Sequence, residues 1–191
     1  MIANLTGMDL ANASLYDKGS AVAESALMCH AVNKKKKVVV SEGVNPHSRR
    51  VLHTYTHAHS MEVIEIPLKD GTTDIEALKE AVDEDVSSVI IQSPNYLGFL
   101  EDVEKMTEIA HTVKKTAMIY VANPIALALL KKPGQMDVDV VVGEGQPLGI
   151  PLSFGGPYLG FMALKKEYMR KMPGRVVGQT VDLDGKRSFV L

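Results

Sequence analysis

The amino-acid sequence predicts an α/β protein, a mostly parallel sheet sandwiched by helices. Three observations lead there. Short β-branched runs are apolar on both faces, amphipathic stretches of helical period lie between them, and the two kinds of segment alternate along the chain. Strand–helix alternation of this kind is resolved by right-handed crossovers into a mainly parallel sheet.

Taken in order, Met8 to Leu15 is a candidate first strand, and Gly19 to Val32 an alanine-rich buried helix. Val38-Val39-Val40 follows a lysine run and reads as a strand. Asn45-Pro46 reads as an N-cap with proline at the first helical position, and Val51, Leu52 and Tyr55 share a face beyond it. Val63 to Ile66 is the next strand. Thr73 with Glu76 has capping-box spacing, followed by Ile75, Leu78 and Val82 on one face. Val86 to Ile91 is a strand. From Glu101 to Lys115 the positions Val103, Met106, Ile109, Ala110 and Val113 keep a helical period, with acidic residues opening and lysines closing the stretch as the helix dipole favours. Ala117 to Val121, Val138 to Val142 and Tyr158 to Leu164 complete the strands. Both ends read as mid-structure: Leu5-Thr6-Gly7 begins without a tail, and Arg187 to Leu191 stops on an apolar, strand-like or helix-entry run. A piece of a longer protein is therefore expected, the alternative being a compact protein with short termini.

Composition narrows the function classes. The 191 residues suffice for one domain with a sizeable core. Lys+Arg number 21 and Asp+Glu 23, a formal charge of −2, which gives no electrostatic case for nucleic acid. The single cysteine, Cys29, excludes an internal disulfide and fits a reducing compartment. Apolar runs fall far short of the ~20 residues that cross a bilayer, and the first residues carry no secretory pattern, so a cytoplasmic protein is expected.

Gly143 to Gly160 is the most unusual segment, with six glycines and three prolines directly after a strand. At the carboxyl end of a parallel strand such a stretch suits close backbone approach to a ligand, and it equally suits a rigid turn. Leu148 stands where a dinucleotide fingerprint needs its third glycine, and no phosphate-loop lysine is present. Gly19-Ser20 at a helix start is either a plain cap or an anion site, since free amides and the helix dipole both favour negative charge. His53 and His57 are four apart, yet no carboxylate or cysteine completes a metal set with them or with His59. Cys29 reads as a small core residue, and Lys34 to Lys37 as a solvated turn.

Leu5 to Asp9, Ala11 to Asp17, Gln92-Ser93-Pro94-Asn95 and above all Gly143 to Gly160 resemble the glycine cleavage system P-protein family, the pyridoxal-phosphate enzyme glycine dehydrogenase (decarboxylating). The likeness runs nearly end to end and is strongest to the subunit 1, or α, branch. It implies the large domain of the aspartate-aminotransferase-like fold (fold type I), residues 1–191 forming one domain with a mostly parallel seven-stranded sheet. An N-terminal helical segment and a C-terminal small domain of the family fall outside this chain.

The resemblance also implies a division of labour. In the catalytic half of the family a Schiff-base lysine precedes Ile-Pro and Gly-Gly-Pro at fixed spacing. Ile150-Pro151 and Gly155-Gly156-Pro157 match that register, and the lysine position falls on Gln146. An amide cannot form an imine. The carboxylate that pairs with the pyridinium nitrogen is expected near Asn123, a neutral residue. Gly19 and Ser20 fall where the fold grips the cofactor phosphate, and Asn95 and Tyr96 follow a strand end facing the same crevice. The implied reading is a degenerate copy of the catalytic domain with no catalytic residue of its own. Pyridoxal phosphate is expected on the partner, subunit 2 (β), with glycine as substrate and the lipoyl H-protein as acceptor. The alternative is a stand-alone domain that holds a phosphate ligand at Gly19-Ser20.

Overall fold

The computed structural model describes residues 1–191. One helix, α1 (Ile2–Thr6), precedes a two-residue strand, β1 (Leu10–Ala11). The remaining α-helices and strands are α2 (Lys18–Asn33), β2 (Lys37–Ser41), α3 (Pro46–Ala58), β3 (Glu62–Ile66), a small hairpin of β4 (Leu68–Lys69) and β5 (Thr72–Thr73), α4 (Ile75–Ala81), β6 (Val86–Ser93), α5 (Val103–His111), β7 (Ala117–Ala122), β8 (Val140–Glu144), β9 (Gly160–Leu164) and a hairpin of β10 (Gly178–Val181) and β11 (Arg187–Val190).

Seven strands form one sheet in the order β1-β9-β8-β7-β6-β2-β3. The pairs β3–β2, β2–β6, β6–β7 and β7–β8 are parallel, whereas β9 runs antiparallel to β8 and β1 antiparallel to β9. The expected sheet is thus present.

Strand alternation builds two cores. Val38, Val40, Ile119, Val121, Val140 and Val142 point to one face and pack with Ala21, Val22, Ala26 and Cys29 of α2. Val39, Met118, Tyr120 and Val141 point to the other and meet Leu78 of α4 and Val103, Met106 and Ile109 of α5. Successive side chains of a strand face opposite ways, so helices on both sides demand continuous apolar runs. α2 is largely covered, with eight of its residues buried, and its small residues let α3 and four strands approach. Burial pushes the Cys29 thiol well above its usual range, in keeping with a core role.

Several boundaries differ from expectation, each for a local reason. The first strand is confined to Leu10–Ala11, because Met8 is buried in the core and Leu15 makes only an isolated bridge to Gly160. The cap of α4 is Asp74, whose side chain accepts from Glu76 and Ala77 N–H. Thr73 instead turns its hydroxyl to Ser41, at 2.6 Å. α5 is shorter than the periodicity suggests: Asp102 caps it and it ends at His111, short of the closing lysines, where Lys115 adopts a left-handed conformation. Helix α1 and the β4–β5 hairpin carry too few residues for a periodic signal. The final apolar run is a strand, β11, paired only with β10 in a separate exposed hairpin.

Candidate functional site

From β2 the chain moves outward to β3 and then returns to the other side of β2 with β6. At this reversal the loops after neighbouring strands diverge and leave a crevice at the strand carboxyl ends. The Asn45 N–H donates to Gln92 Oε1 at 3.0 Å across the gap. One cavity there, of about 380 Å³, is lined by Gln92, Asn95, Tyr96, Asn123 and Pro147 among others; an adjoining one of about 540 Å³ is lined by Gly19, Ser48, Arg50 and Tyr158. Lys18, Asn45 and Glu144 line both. α2 enters from this edge, so its amino end faces the crevice.

Glu144, the last residue of β8, organises the site. Its Oε1 accepts from the N–H of Gln146 at 3.1 Å and of Leu159 at 2.6 Å, and its Oε2 accepts from Lys18 N–H at 3.2 Å. One carboxylate therefore ties both ends of the glycine-rich loop to the first turn of α2. Asp17, the N-cap, accepts from Ser20 N–H at 2.7 Å through its side chain and from Ala21 N–H through its carbonyl. Of the first-turn amides only Gly19 N–H lacks a partner. Gly160 allows this approach, because a Cβ there would overlap the backbone of Asp17.

The residues singled out in the sequence are brought to one edge of the sheet, with different duties. Gly19 is buried and lines the larger cavity, while Ser20 contributes only its capped amide. Asn95 is 4% exposed. Its Nδ2 donates to Gly71 O and to Glu101 Oε1, and its Oδ1 accepts from Leu97 and Phe99 N–H, so it builds the loop after β6. Tyr96, on that loop, is exposed. Asn123 Oδ1 accepts from Ile125 and Ala126 N–H, closing its own turn. Gln146 Nε2 donates to Pro157 O at 3.2 Å, a bridge across the glycine-rich loop. His53 lies away from the crevice with Nε2 2.9 Å from Glu65 Oε1.

Sequence reasoning missed Lys18 and Glu144. Lys18 is half-buried and its ammonium makes no hydrogen bond or ion pair. Burial lowers its pKa, and the nearby Glu144 and Asp17 carboxylates work the other way. A signal was present: a lysine beside an N-cap aspartate at the start of a buried helix has its backbone fixed at the crevice edge. Glu144 lay two residues past the expected strand Val138 to Val142, and a carboxylate at a strand end has loop amides within reach.

The comparisons with known proteins agree with this architecture. The model of the glycine cleavage system P-protein family matches residues 1–191. The chain belongs to the glycine cleavage system P-protein family. It is 53% identical over all 191 residues to a Bacillus licheniformis protein named probable glycine dehydrogenase (decarboxylating) subunit 1, and covers 42% of that protein. A crystal structure of glycine decarboxylase (P-protein) in inhibitor-bound form superimposes with a TM-score of 0.91 at 41% identity, over 100% of this chain and 42% of that one. A Burkholderia pseudomallei sphingosine-1-phosphate lyase, TM-score 0.63 at 13% identity over 94% of this chain, shares the fold. The chain thus spans about 42% of the length of its P-protein relatives. The fold is that of the pyridoxal-phosphate transferases of fold type I. No helix is long and apolar enough to cross a membrane.

The crevice residues of this P-protein chain are largely engaged with one another. Two first-turn amides of α2 are engaged by carboxylates, Asn123 is neutral and closes its own turn, and Gln146, which lines neither cavity, turns its carboxamide to Pro157.

Proposed function

We propose that this chain is the large-domain part of the non-lysine subunit of glycine dehydrogenase (decarboxylating). The whole enzyme would act in glycine catabolism, as a cytoplasmic heterotetramer. It would remove the glycine carboxylate as CO₂ and pass the aminomethyl group to the lipoyl arm of H-protein. Pyridoxal phosphate, held on subunit 2, would supply the electron sink. This chain would support that site and turn over nothing alone. Residues 1–191 would form one domain of a longer subunit.

The observation that carries the reading is Gln146. In the register of Ile150-Pro151 and Gly155-Gly156-Pro157 it stands where the catalytic half has its lysine, and its carboxamide is used to bridge to Pro157. The reading of a stand-alone phosphate-binding domain loses support from the engaged amides of Lys18 and Ser20. Co-purification tests the proposal. Full-length subunit should elute with a lysine-bearing P-protein homologue, and the mixture, not either part, should exchange glycine carboxyl with CO₂. A subunit that runs alone in the homologue's presence would overturn it.

A further inference from the structure

We infer that Glu144, with Asp17, determines the specificity of the crevice by acting as a built-in anion that keeps phosphate-bearing ligands out. The inference rests on the reading of this cleft as one without its own cofactor, and it assigns the cause to two residues. A helix amino end is an anion site by default, since its first amides are unpaired and the dipole leaves partial positive charge there. An unoccupied first turn at this crevice would stay receptive to an anion. Here it is not empty. Glu144 Oε2 takes Lys18 N–H and Asp17 Oδ1 takes Ser20 N–H, which leaves Gly19 N–H alone between two carboxylates.

An incoming phosphate would meet this arrangement twice over. It would have to displace hydrogen bonds to charged acceptors, and it would sit beside two like charges in a half-buried cleft where screening is weak. Glu144 is also fixed by geometry. Its other oxygen holds Gln146 and Leu159 N–H, so it cannot swing aside without releasing the glycine-rich loop. Lys18 and Arg50 line the cavity and would otherwise draw an anion in. The two carboxylates therefore offset these two cations and remove the net attraction for an anion.

Neutral isosteres separate charge from scaffold. In Glu144→Gln the carboxamide oxygen can keep Gln146 and Leu159 N–H while its NH₂ faces Lys18 N–H and frees that amide. Asp17→Asn retains a good N-cap. Inorganic phosphate, and separately pyridoxine 5′-phosphate, which has no aldehyde, are titrated into full-length subunit by calorimetry. Wild type should show no saturable binding at millimolar ligand. The double variant should gain at least about tenfold in affinity, the ratio that 1.4 kcal/mol represents. If the double variant is unfolded by circular dichroism, Asp17→Asn alone carries the test, with a smaller gain expected. Saturable phosphate binding by wild type, or a folded variant with no gain, would overturn the inference. Neither ligand can form an imine, so these outcomes are separate from the presence or absence of a lysine adduct.

Discussion

The Glu144 carboxylate reaches across fifteen residues of sequence to accept the Leu159 N–H at 2.6 Å, closing the glycine-rich loop on itself. With Gln146 and Lys18 on the same carboxylate, the loop is pinned to the sheet end and to α2. Glu144→Ala removes three charge-assisted acceptor contacts at once. It should cost about 2 kcal/mol in chemical denaturation and speed amide exchange through residues 145–159, with α5 unaffected. Unchanged exchange in the loop would show that glycines and prolines alone hold it.

A second prediction concerns the amino end of the strands, opposite the crevice. Asp139, whose side chain is 5% exposed, accepts from Met118 N–H, from Lys165 Nζ and from the His111 ring, each at 2.7 Å. Burial opposes the charged carboxylate, but these bonds win and hold its pKa below the usual 3.8. The Asp139 bond chiefly holds His111 above its ordinary 6.5, against partial burial. A raised histidine stabilises fully below 6.5 and loses that contribution as pH rises through its folded value. A lowered aspartate stabilises above 3.8 and loses its contribution as pH falls through its folded value. The cluster should therefore be strongest between those two limits. The melting temperature of wild type should fall from mildly acidic toward alkaline pH more steeply than that of His111→Asn. Equal slopes would remove His111 from the account. Asp139→Ala should cost about 3 kcal/mol, since it strands a buried amide and leaves Lys165 with fewer partners.

Asn95 yields a third prediction. It sits against Glu101, which is 8% exposed and accepts from Asn95 Nδ2 at 2.9 Å and from Thr73 N–H at 3.0 Å. Asn95→Asp puts a second carboxylate against the first in a buried place. It should destabilise by about 3 kcal/mol at neutral pH and recover part of that on acidification, whereas Asn95→Ala should show no such recovery. Parallel pH curves for the two variants would refute the assigned contact.

Backbone proximity gives a fourth. Gly160→Ala would drive a methyl into the Asp17 backbone and displace the start of α2. Soluble yield and melting temperature should both drop, while Gly149→Ala, at a position with open space, should act only through its positive φ and cost less.

Much of this was legible in the sequence. The β-branched runs marked the strands because strands covered on both faces admit nothing else, and Val38 to Val40 and Val140 to Val142 do divide between two cores. Asn45-Pro46 started α3 as its chemistry requires, the Asn45 side chain accepting from His47 and Ser48 N–H. What failed was local competition. Thr73 had capping-box spacing, but Ser41 claimed its hydroxyl and Asp74 was one residue nearer the helix. At the site, Gly19, Asn95 and Asn123 line the crevice and Gln146 lies beside it, yet their hydrogen bonds turn Asn95, Asn123 and Gln146 into loop builders. Glu144 and Lys18 stood beside recognised motifs, and only the return of the chain at Leu159 reveals what the carboxylate does.

Gln146→Lys should restore no glycine-dependent CO₂ exchange to the isolated full-length subunit. Asn123 would still be neutral, and the α2 amides would still be engaged. Exchange by this single variant would mean that the amine alone was missing.

The most direct measurement is borohydride reduction of full-length subunit incubated with pyridoxal phosphate, followed by peptide mapping. The crevice holds one lysine, Lys18, with its nitrogen unpaired and its pKa lowered by burial, so it is the amine on which the outcome turns. The account predicts only sparse, scattered labelling of surface lysines and none at Lys18 above that background. Stoichiometric pyridoxyl label on Lys18 would contradict it, and would make this cleft a cofactor site in its own right.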